Sequence, residues 1–169
     1  MTSIIEADFT NPLHAAALIE LMNVYSNDLM GGGSALSEHT ITHLASEMAQ
    51  RDTLFSFIAF NGENPVGLAN CIESFSTFAC KPLVNIHDLV VKGEFRGQGI
   101  AQALLRAVEQ EALHRGCCKL TLEVLDRNHP AKQLYQKLGF GPYSFSPKQA
   151  SEPCDPTTGQ ALFWQKSLT

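Results

Sequence analysis

Residues 83–101 read LVNIHDLVVKGEFRGQGIA, and this stretch contains the passage from a hydrophobic strand into a helix. The first part, Leu83 to Val91, has the apolar composition of a buried strand. The loop Arg96-Gly97-Gln98-Gly99 follows, and a helical spacing of apolar residues runs from Ile100 to about Arg115. The pattern therefore predicts a strand, a glycine-containing loop and a helix in direct succession.

This loop is suited to binding an anion. The N–H groups in the first turn of a helix have no partner within the helix, and they lie at the positive end of its dipole. Gly97 and Gly99 let the backbone approach a ligand without side-chain obstruction, and Arg96 adds a fixed positive charge. The segment therefore predicts a site for a pyrophosphate group.

A dinucleotide site is one interpretation of the loop. Such a site has glycine at its first, third and sixth positions, and Gly97 and Gly99 fill the first two. The sixth position is Gln102, which is too large for close helix–strand packing. Glu123 lies about 20 residues further on, as a ribose-binding acid would, but within a strand rather than clearly at its end. The spacing therefore disfavours this interpretation.

The rest of the sequence predicts one domain over residues 1–169. This length suits a single core, and we find no internal repeat or low-complexity linker. The predicted order is one strand, two helices, three strands, then helix, strand, helix and two strands, with the last two at 140–145 and 162–168. That order indicates an α+β fold, a mixed sheet with helices packed on it. The predicted inner face of the helix from Ile100 is Ile100, Ala103, Leu104, Ala107 and Val108.

Composition restricts the possible partners. The net charge of −5 argues against nucleic acid as a partner, and no apolar run is long enough for a membrane helix. The first six residues lack the features of a signal peptide, and five cysteines form an odd number. We therefore expect a cytoplasmic protein with reduced thiols, and we expect Cys117-Cys118 to pack where a helix meets a strand.

Two motifs resemble those of the GNAT superfamily of N-acetyltransferases. Arg96-x-x-Gly99-x-Ala101, between a strand and a helix, is similar to that superfamily's coenzyme A loop. Leu125-Asp126-Arg127-Asn128-His129-Pro130-Ala131, then Tyr135 and Leu138-Gly139-Phe140, resemble its second cofactor motif. The motifs cover residues 84–143. The resemblance implies a central, mostly antiparallel sheet of six to seven strands with about four helices, and acetyl-CoA as co-substrate.

The resemblance also implies roles for individual residues. The backbone of Leu89, Val90 and Val91 would hold the pantetheine arm, with an oxyanion-stabilising N–H near Val90. Asn128 and Ala131 would bind the cofactor near its reactive end, and Tyr135 would protonate the departing thiolate. The residues implied for the pyrophosphate are Arg96, Gly97, Gln98, Gly99, Ile100 and Ala101. Three of these residues also have a purely structural interpretation. Asn128 is then a helix cap, Tyr135 a core aromatic and Arg96 a solvated charge.

The acceptor side resembles the small-amine branch of the superfamily, which includes diamine and thialysine acetyltransferases. Phe75 and Phe78 match a segment ahead of the strand, and His87-Asp88 stand where that branch has an acidic pair. We expect Asp88 to bind or orient the ammonium group and His87 to take the proton, with Glu73 as the reserve base. His87 as an ordinary half-buried strand residue is the alternative. The expected substrate-binding residues are Glu73, Phe75, Phe78, His87 and Asp88.

The expected function is acetyl transfer from acetyl-CoA to a primary amine of a small molecule. Two alternatives stay open, acetylation of a protein amino terminus or lysine, and an acyl-CoA-binding sensor without turnover. A homodimer is an expectation from the resemblance. We expect no metal, because His39 and His43, although four residues apart, lack the glutamate of the zinc-protease pattern.

Overall fold

The computed structural model describes residues 2–28, 33–143 and 160–168. The predicted order of elements is confirmed. The strands are β1 (Thr2–Glu6), β2 (Leu54–Asn61), β3 (Asn64–Ser76), β4 (Lys81–Val91), β5 (Lys119–Leu125), β6 (Gly141–Pro142) and β7 (Ala161–Ser167). The helices are α1 (Pro12–Asn27), α2 (Glu38–Ala49), α3 (Ile100–His114) and α4 (His129–Lys137), with a short 3-10 turn at Gly93–Phe95.

The seven strands form one mixed sheet in the order β1-β2-β3-β4-β5-β7-β6. Every neighbouring pair is antiparallel except β4 and β5, which are parallel. The parallel pairing is short and runs from Val84–Leu120 to Ile86–Leu122. The predicted mixed, mostly antiparallel sheet is therefore confirmed. The two central strands β4 and β5 pair over only three residues each.

A β-bulge at His87 explains why that pairing stops. On β3, Asn70 pairs with Asp88 and Cys71 pairs with Ile86, so His87 is the extra residue of β4. A bulge bends its strand and increases its twist. The register of β4 with β5 ends at Ile86, immediately before the bulge. The carboxyl-terminal half of β4 therefore diverges from β5 and leaves a gap in the sheet.

The helices cover the two faces of the sheet. Helices α1 and α2 pack on one face over Ile58, Leu68 and Val90, whereas α3 packs on the other. The buried residues of α3 are Ile100, Leu104, Leu105, Val108 and Ala112. The prediction of Ala103 on this face is wrong, because the buried row follows the four-residue spacing from Ile100 and Ala103 is exposed.

Close packing at Gly67 sets the depth of α3. A Cβ at Gly67 would lie 3.1 Å from Leu104 Cδ1 and 3.2 Å from Ile100 Cγ2. Leu104 is fully buried. Leu104→Ala should lower the free energy of unfolding by about 2–5 kcal/mol, because it removes buried atoms and leaves a cavity. Urea unfolding tests this, with Leu113→Ala on the exposed side of α3 as the control. Equal losses for the two variants would contradict the packing described.

Several element boundaries follow the sequence signals. Asn11 caps α1 and Ser37 caps α2, each through its side-chain oxygen. Cys117 and Cys118 are buried between α3 and β5, as predicted. The β2–β3 loop is Gly62-Glu63, because Asn61 still pairs with Asn64.

The carboxyl-terminal part follows the prediction less closely. Strand β6 contains two residues, Gly141–Pro142, whereas a strand over 140–145 was predicted. Residues 144 and 145 lie outside the described part, as do Gly31, Gly32 and Pro147. Among the helices of the described ranges, none combines the length and apolar character needed to cross a membrane.

Candidate active site

A large cavity lies beside the end of β4, with a volume of about 670 Å³. The loop before α3, the first turn of α3 and helix α4 form its other walls. All of the predicted cofactor residues except Gln98 line it: Leu89, Val90, Val91, Arg96, Gly97, Gly99, Ile100, Ala101, Asn128, Ala131 and Tyr135. The Gln98 amide instead donates to the Glu94 carbonyl oxygen. The two sequence motifs therefore converge on one cavity.

The loop before α3 exposes its backbone to this cavity. Gly97 and Gly99 have φ angles of 76° and 81°, a region that favours glycine. A Cβ at either position would meet no described atom within 4 Å. Gly99 is the N-cap of α3, and the first helical hydrogen bond runs from Ala103 N to Gly99 O. The N–H groups at the start of α3 have no partner within the helix, which suits them to bind phosphate.

Arg96 lies at the edge of this cavity and is not simply solvated. Its Nε donates to the Val91 carbonyl oxygen at 3.0 Å, and its Nη2 lies 2.7 Å from Asp28 Oδ2. Asp28 follows the last residue of α1 and also lines the cavity. The guanidinium therefore connects the end of β4 to the end of α1 while about half of its side chain stays exposed.

Asn128 is a helix cap that also faces the large cavity. Its Oδ1 accepts a hydrogen bond from Ala131 N at 3.3 Å and caps α4, and the residue also lines the large cavity. The cap fixes the start of α4, and this helix carries Tyr135 to the base of the cavity. The capping residue therefore helps to determine where the Tyr135 phenol lies.

Tyr135 packs in the core and also lines a cavity. It is 7% exposed, and its ring lies 5.8 Å from that of Phe140. Burial and, to a lesser extent, the nearby Tyr25 raise the pKa of Tyr135 to about 12. This value increases the difference between the pKa of the Tyr135 phenol and that of a thiol, whose reference pKa is about 8.5. Burial in the same site would also raise the pKa of the thiol, which makes the difference between the two pKa values smaller again.

A second cavity of about 240 Å³ adjoins the first in the gap between β4 and β5. Leu89, Asn128 and Tyr135 line both cavities. His87, the exposed bulge residue, lines only the second, together with Tyr25 and Glu123. The two cavities therefore meet at Tyr135, one beside the phosphate-binding loop and one beside a histidine.

Asp88 lies behind this site. Its Oδ2 accepts a hydrogen bond from Asn70 Nδ2 at 3.0 Å, and Asn70 Oδ1 accepts one from Ser56 Oγ at 2.6 Å. Asp88 is not among the lining residues of either cavity. Burial raises the pKa of Tyr25, and the Asp88 and Asp28 carboxylates raise it further. Asp88 therefore contributes to keeping protonated the phenol of Tyr25, which lines the second cavity.

The other predicted acceptor residues lie elsewhere. The Glu73 carboxylate forms an ion pair at 2.9 Å with Arg115, the residue that follows α3. Phe75 and Phe78 are on the β3–β4 hairpin, and Phe78 is 95% exposed. None of these three lines the two cavities that meet at Tyr135.

The two histidines of α2 also lie apart from the site. His39 and His43 are exposed, and their rings stack with centroids 4.4 Å apart. Over residues 2–28, 33–143 and 160–168, the His, Cys, Asp and Glu side chains form no group of three that could hold a metal ion.

Three residues of the site were missed or misread from the sequence. Tyr25 and Asp28 end α1, and nothing in their local pattern connects them with a loop about 70 residues away. Glu123 is the single charged residue within the apolar run from Leu120 to Leu125, which is a signal. Its distance from the loop indicates only a ribose-binding role, whereas in the structure Glu123 lines the second cavity.

The sequence matches known acetyltransferases. The model of the acetyltransferase (GNAT) family matches residues 18–140, which is more than half of the chain. Thialysine N-epsilon-acetyltransferase of Bos taurus is 42% identical over 74 residues, which cover 44% of this chain and 43% of that enzyme. The match to the cattle enzyme thus spans less than half of its length. The Caenorhabditis elegans protein of the same name is 28% identical over 129 residues, 76% of this chain and 78% of that protein.

Solved structures have the same fold. An acetyltransferase of the GNAT family from Streptococcus pneumoniae superposes with a TM-score of 0.75 at 20% identity, covering 100% of both chains. A chain of the NatC complex, bound to Gag peptide and CoA, superposes with a TM-score of 0.73 at 19% identity over 99% of both chains. The family match, the fold and the convergence of both motifs on one cavity agree. The chain belongs to the acetyltransferase (GNAT) family.

Proposed function

We propose that this protein transfers the acetyl group of acetyl-CoA to a primary amine of a small molecule, by direct attack in a ternary complex. One observation carries the proposal: a large cavity beside a phosphate-binding loop and a smaller cavity beside a histidine meet at Tyr135. The first accommodates the acyl donor and the second the acceptor. The similarity to thialysine acetyltransferases supports an amine as the acceptor.

The pantetheine arm lies along the open edge of β4 in this proposal. Lys92 N donates to Val66 O, so the N–H groups of Lys92 and Val90 are directed towards β3. Residues alternate along a strand, so the polar groups of Leu89 and Val91 are directed into the gap. The bond from Arg96 Nε to the Val91 carbonyl oxygen agrees with this. Leu89 and Val91, rather than Val90 itself, therefore offer hydrogen bonds to the arm.

The reaction needs three groups in this arrangement. A neutral amine attacks the thioester carbon, the carbonyl oxygen becomes an oxyanion, and the C–S bond breaks to release the CoA thiolate. The N–H of Leu89, which lines both cavities, stabilises the oxyanion. Tyr135 donates its proton to the thiolate, and His87, directly or through one water, takes the proton of the amine. The Asp88 carboxylate helps to keep the Tyr25 phenol protonated, so Tyr25 offers a neutral hydroxyl to the acceptor.

His87→Ala should lower kcat by roughly a hundredfold, the low end for a positioned general base. A general base that takes the proton of the amine gives the pH–rate profile an acidic limb, so this limb should disappear in the variant. His43 is an exposed histidine of α2 outside the cavities, so His43→Ala is the matched control. It should leave kcat and the acidic limb of the pH–rate profile unchanged. A His87→Ala profile identical to that of the wild type would remove His87 from the mechanism.

A screen of amines with acetyl-CoA tests the function. The panel contains diamines, lysine analogues and peptides, with detection of released thiol and of a mass gain of about 42 Da on the amine nucleophile. We expect release of the CoA thiol with small amines. Turnover restricted to peptides would establish the protein acetyltransferase alternative. Binding of CoA without thiol release from any amine would establish the sensor.

A further inference from the structure

Three polar side chains lie in a row across β2, β3 and β4, on the face of the sheet that α1 covers. Ser56 pairs with Asn70, and Asn70 pairs with Asp88, so the three side chains share one face. Ser56 and Asn70 are buried, with exposed fractions of 0% and 6%. Burial of polar groups costs free energy unless they are hydrogen-bonded, so these side chains depend on one another for partners.

The hydrogen bonds of this row fix the orientation of the Asn70 amide. Its Oδ1 accepts a hydrogen bond from Ser56 Oγ at 2.6 Å. Its Nδ2 donates to Asp88 Oδ2 at 3.0 Å and also to Met22 Sδ of α1 at 3.2 Å. A carboxylate only accepts hydrogen bonds, so a reversed amide would place its oxygen against the Asp88 oxygen. The amide therefore holds the Asp88 carboxylate on the α1 face.

Strand β4 changes faces at this row. Ile86 belongs to the apolar cluster under α3, whereas Val90 belongs to the cluster under α1. Residues of even spacing share one face of a regular strand, so the bulge at His87 causes the change. Asp88 is the first residue after the bulge, and it is the residue that Asn70 holds.

The hydrogen bond to Asp88 disfavours a register without the bulge. If the pairing of the first half of β4 continued regularly, Asp88 would lie opposite Ala69 instead of Asn70. Ala69 belongs to the apolar cluster under α3, so the Asp88 carboxylate would enter an apolar core. His87 would take the place opposite Asn70, and its side chain would be directed towards α1 rather than into the gap.

The apolar pattern of β4 does not select between these two registers. Leu89-Val90-Val91 follows Asp88, and three consecutive apolar residues suit either face of a sheet that is covered on both sides. The polar pair of Asn70 and Asp88 suits only the α1 face, because the amide donor lies there. This pair therefore selects the register.

We propose that Asn70 is a positioning residue of the smaller cavity. By holding Asp88 on the α1 face, it selects the register of β4 that directs His87 into the gap between β4 and β5. Asn70 lines neither of the two cavities that meet at Tyr135, so it acts through other residues. Its effect on catalysis rests on the proposed function, whereas its effect on the register does not.

Hydrogen exchange at the backbone amides of Asp88 and Val90 tests the register directly. Their N–H groups are directed towards β3, like that of Lys92, and in a register without the bulge they would be directed into the gap. Asn70→Leu keeps a similar size and removes the donor, so exchange at both amides should become at least about tenfold faster. Asn64→Leu, in β3 outside both cavities, is the control and should leave these exchange rates unchanged.

Interchanging the two side chains distinguishes selection of the register from a general loss of stability. Asn70→Asp alone places two carboxylates against each other and should also accelerate exchange. In the double variant Asn70→Asp/Asp88→Asn, an amide again faces a carboxylate, and the Ser56 hydroxyl can still donate to position 70. Exchange rates and kcat should therefore return towards the wild-type values. A double variant as impaired as Asn70→Asp would overturn the inference.

Kinetics combined with exchange separate this inference from the proposed function. In Asn70→Leu, kcat should fall by roughly tenfold or more, towards the loss expected for His87→Ala. If the wild type acetylates no amine, the proposed function fails, and faster exchange in Asn70→Leu still supports selection of the register. Unchanged exchange in folded Asn70→Leu protein overturns the inference and leaves the proposed function standing. Faster exchange with an unchanged kcat overturns the positioning role.

Discussion

Tyr135→Phe is expected to lower kcat by about a thousandfold, within the range for loss of a positioned general acid. The phenol lies where the two cavities meet, and in the proposed mechanism the variant loses the proton donor for the CoA thiolate. The phenylalanine ring retains the packing against Phe140, so the thermal stability and the KM for acetyl-CoA should change little. Steady-state thiol release at saturating substrate measures the effect.

The pH dependence gives a second test of this role. Burial raises the pKa of Tyr135 to about 12, so the acid form persists well above the ordinary range of a phenol. The wild-type rate should therefore not fall between about pH 8 and 10 through loss of the Tyr135 proton. Tyr143→Phe, a tyrosine outside both cavities, is the matched control. A Tyr135→Phe enzyme with full kcat would show that Tyr135 is only a core aromatic.

Gly99→Val is expected to lower kcat/KM for acetyl-CoA by several hundredfold. A β-branched residue does not adopt a φ angle of 81°, so the N-cap and the first N–H groups of α3 must move. Each lost hydrogen bond to a charged phosphate is worth about 1.5–3 kcal/mol, and two such losses account for the expected effect. The loss should appear mainly in KM, because the groups near Tyr135 are unchanged. Kinetics with varied acetyl-CoA measure it.

Gly93→Val is the control for this substitution. Gly93 lies in the 3-10 turn before the loop, has no positive φ, and a Cβ there would meet no described atom within 4 Å. The Gly93→Val variant should retain the wild-type KM for acetyl-CoA. If the two variants raise KM equally, the loop conformation at Gly99 does not govern cofactor binding.

The sequence predicted the fold and most of the residues that line the large cavity, because both depend on local patterns. The strand 83–91, the glycines at 97 and 99 and the helix from Ile100 are contiguous, and local rules determine each of them. The cap at Asn128 was also predictable, since the following proline is typical of a helix start. These elements place the loop, β4 and α4 around one cavity.

The acceptor side was less predictable because it depends on long-range register. Nothing in the local sequence shows that His87 is a bulge residue, and without the bulge β4 and β5 would have no gap. The phenylalanines at 75 and 78 were expected near the substrate but lie on an exposed hairpin. Tyr25, Asp28 and Glu123 reach the site from α1 and β5, and only the folded chain brings them together.

The binding of two linked phosphates by the loop before α3 is the claim on which the remaining roles depend. Isothermal titration of the protein with CoA and, separately, with pantetheine, which lacks the pyrophosphate and the adenosine 3′-phosphate attached to it, tests it most directly. We expect CoA to bind at least about a hundredfold more tightly, since two or more charge-assisted hydrogen bonds distinguish the ligands. Equal affinities for the two ligands, or no heat with CoA, would contradict the account.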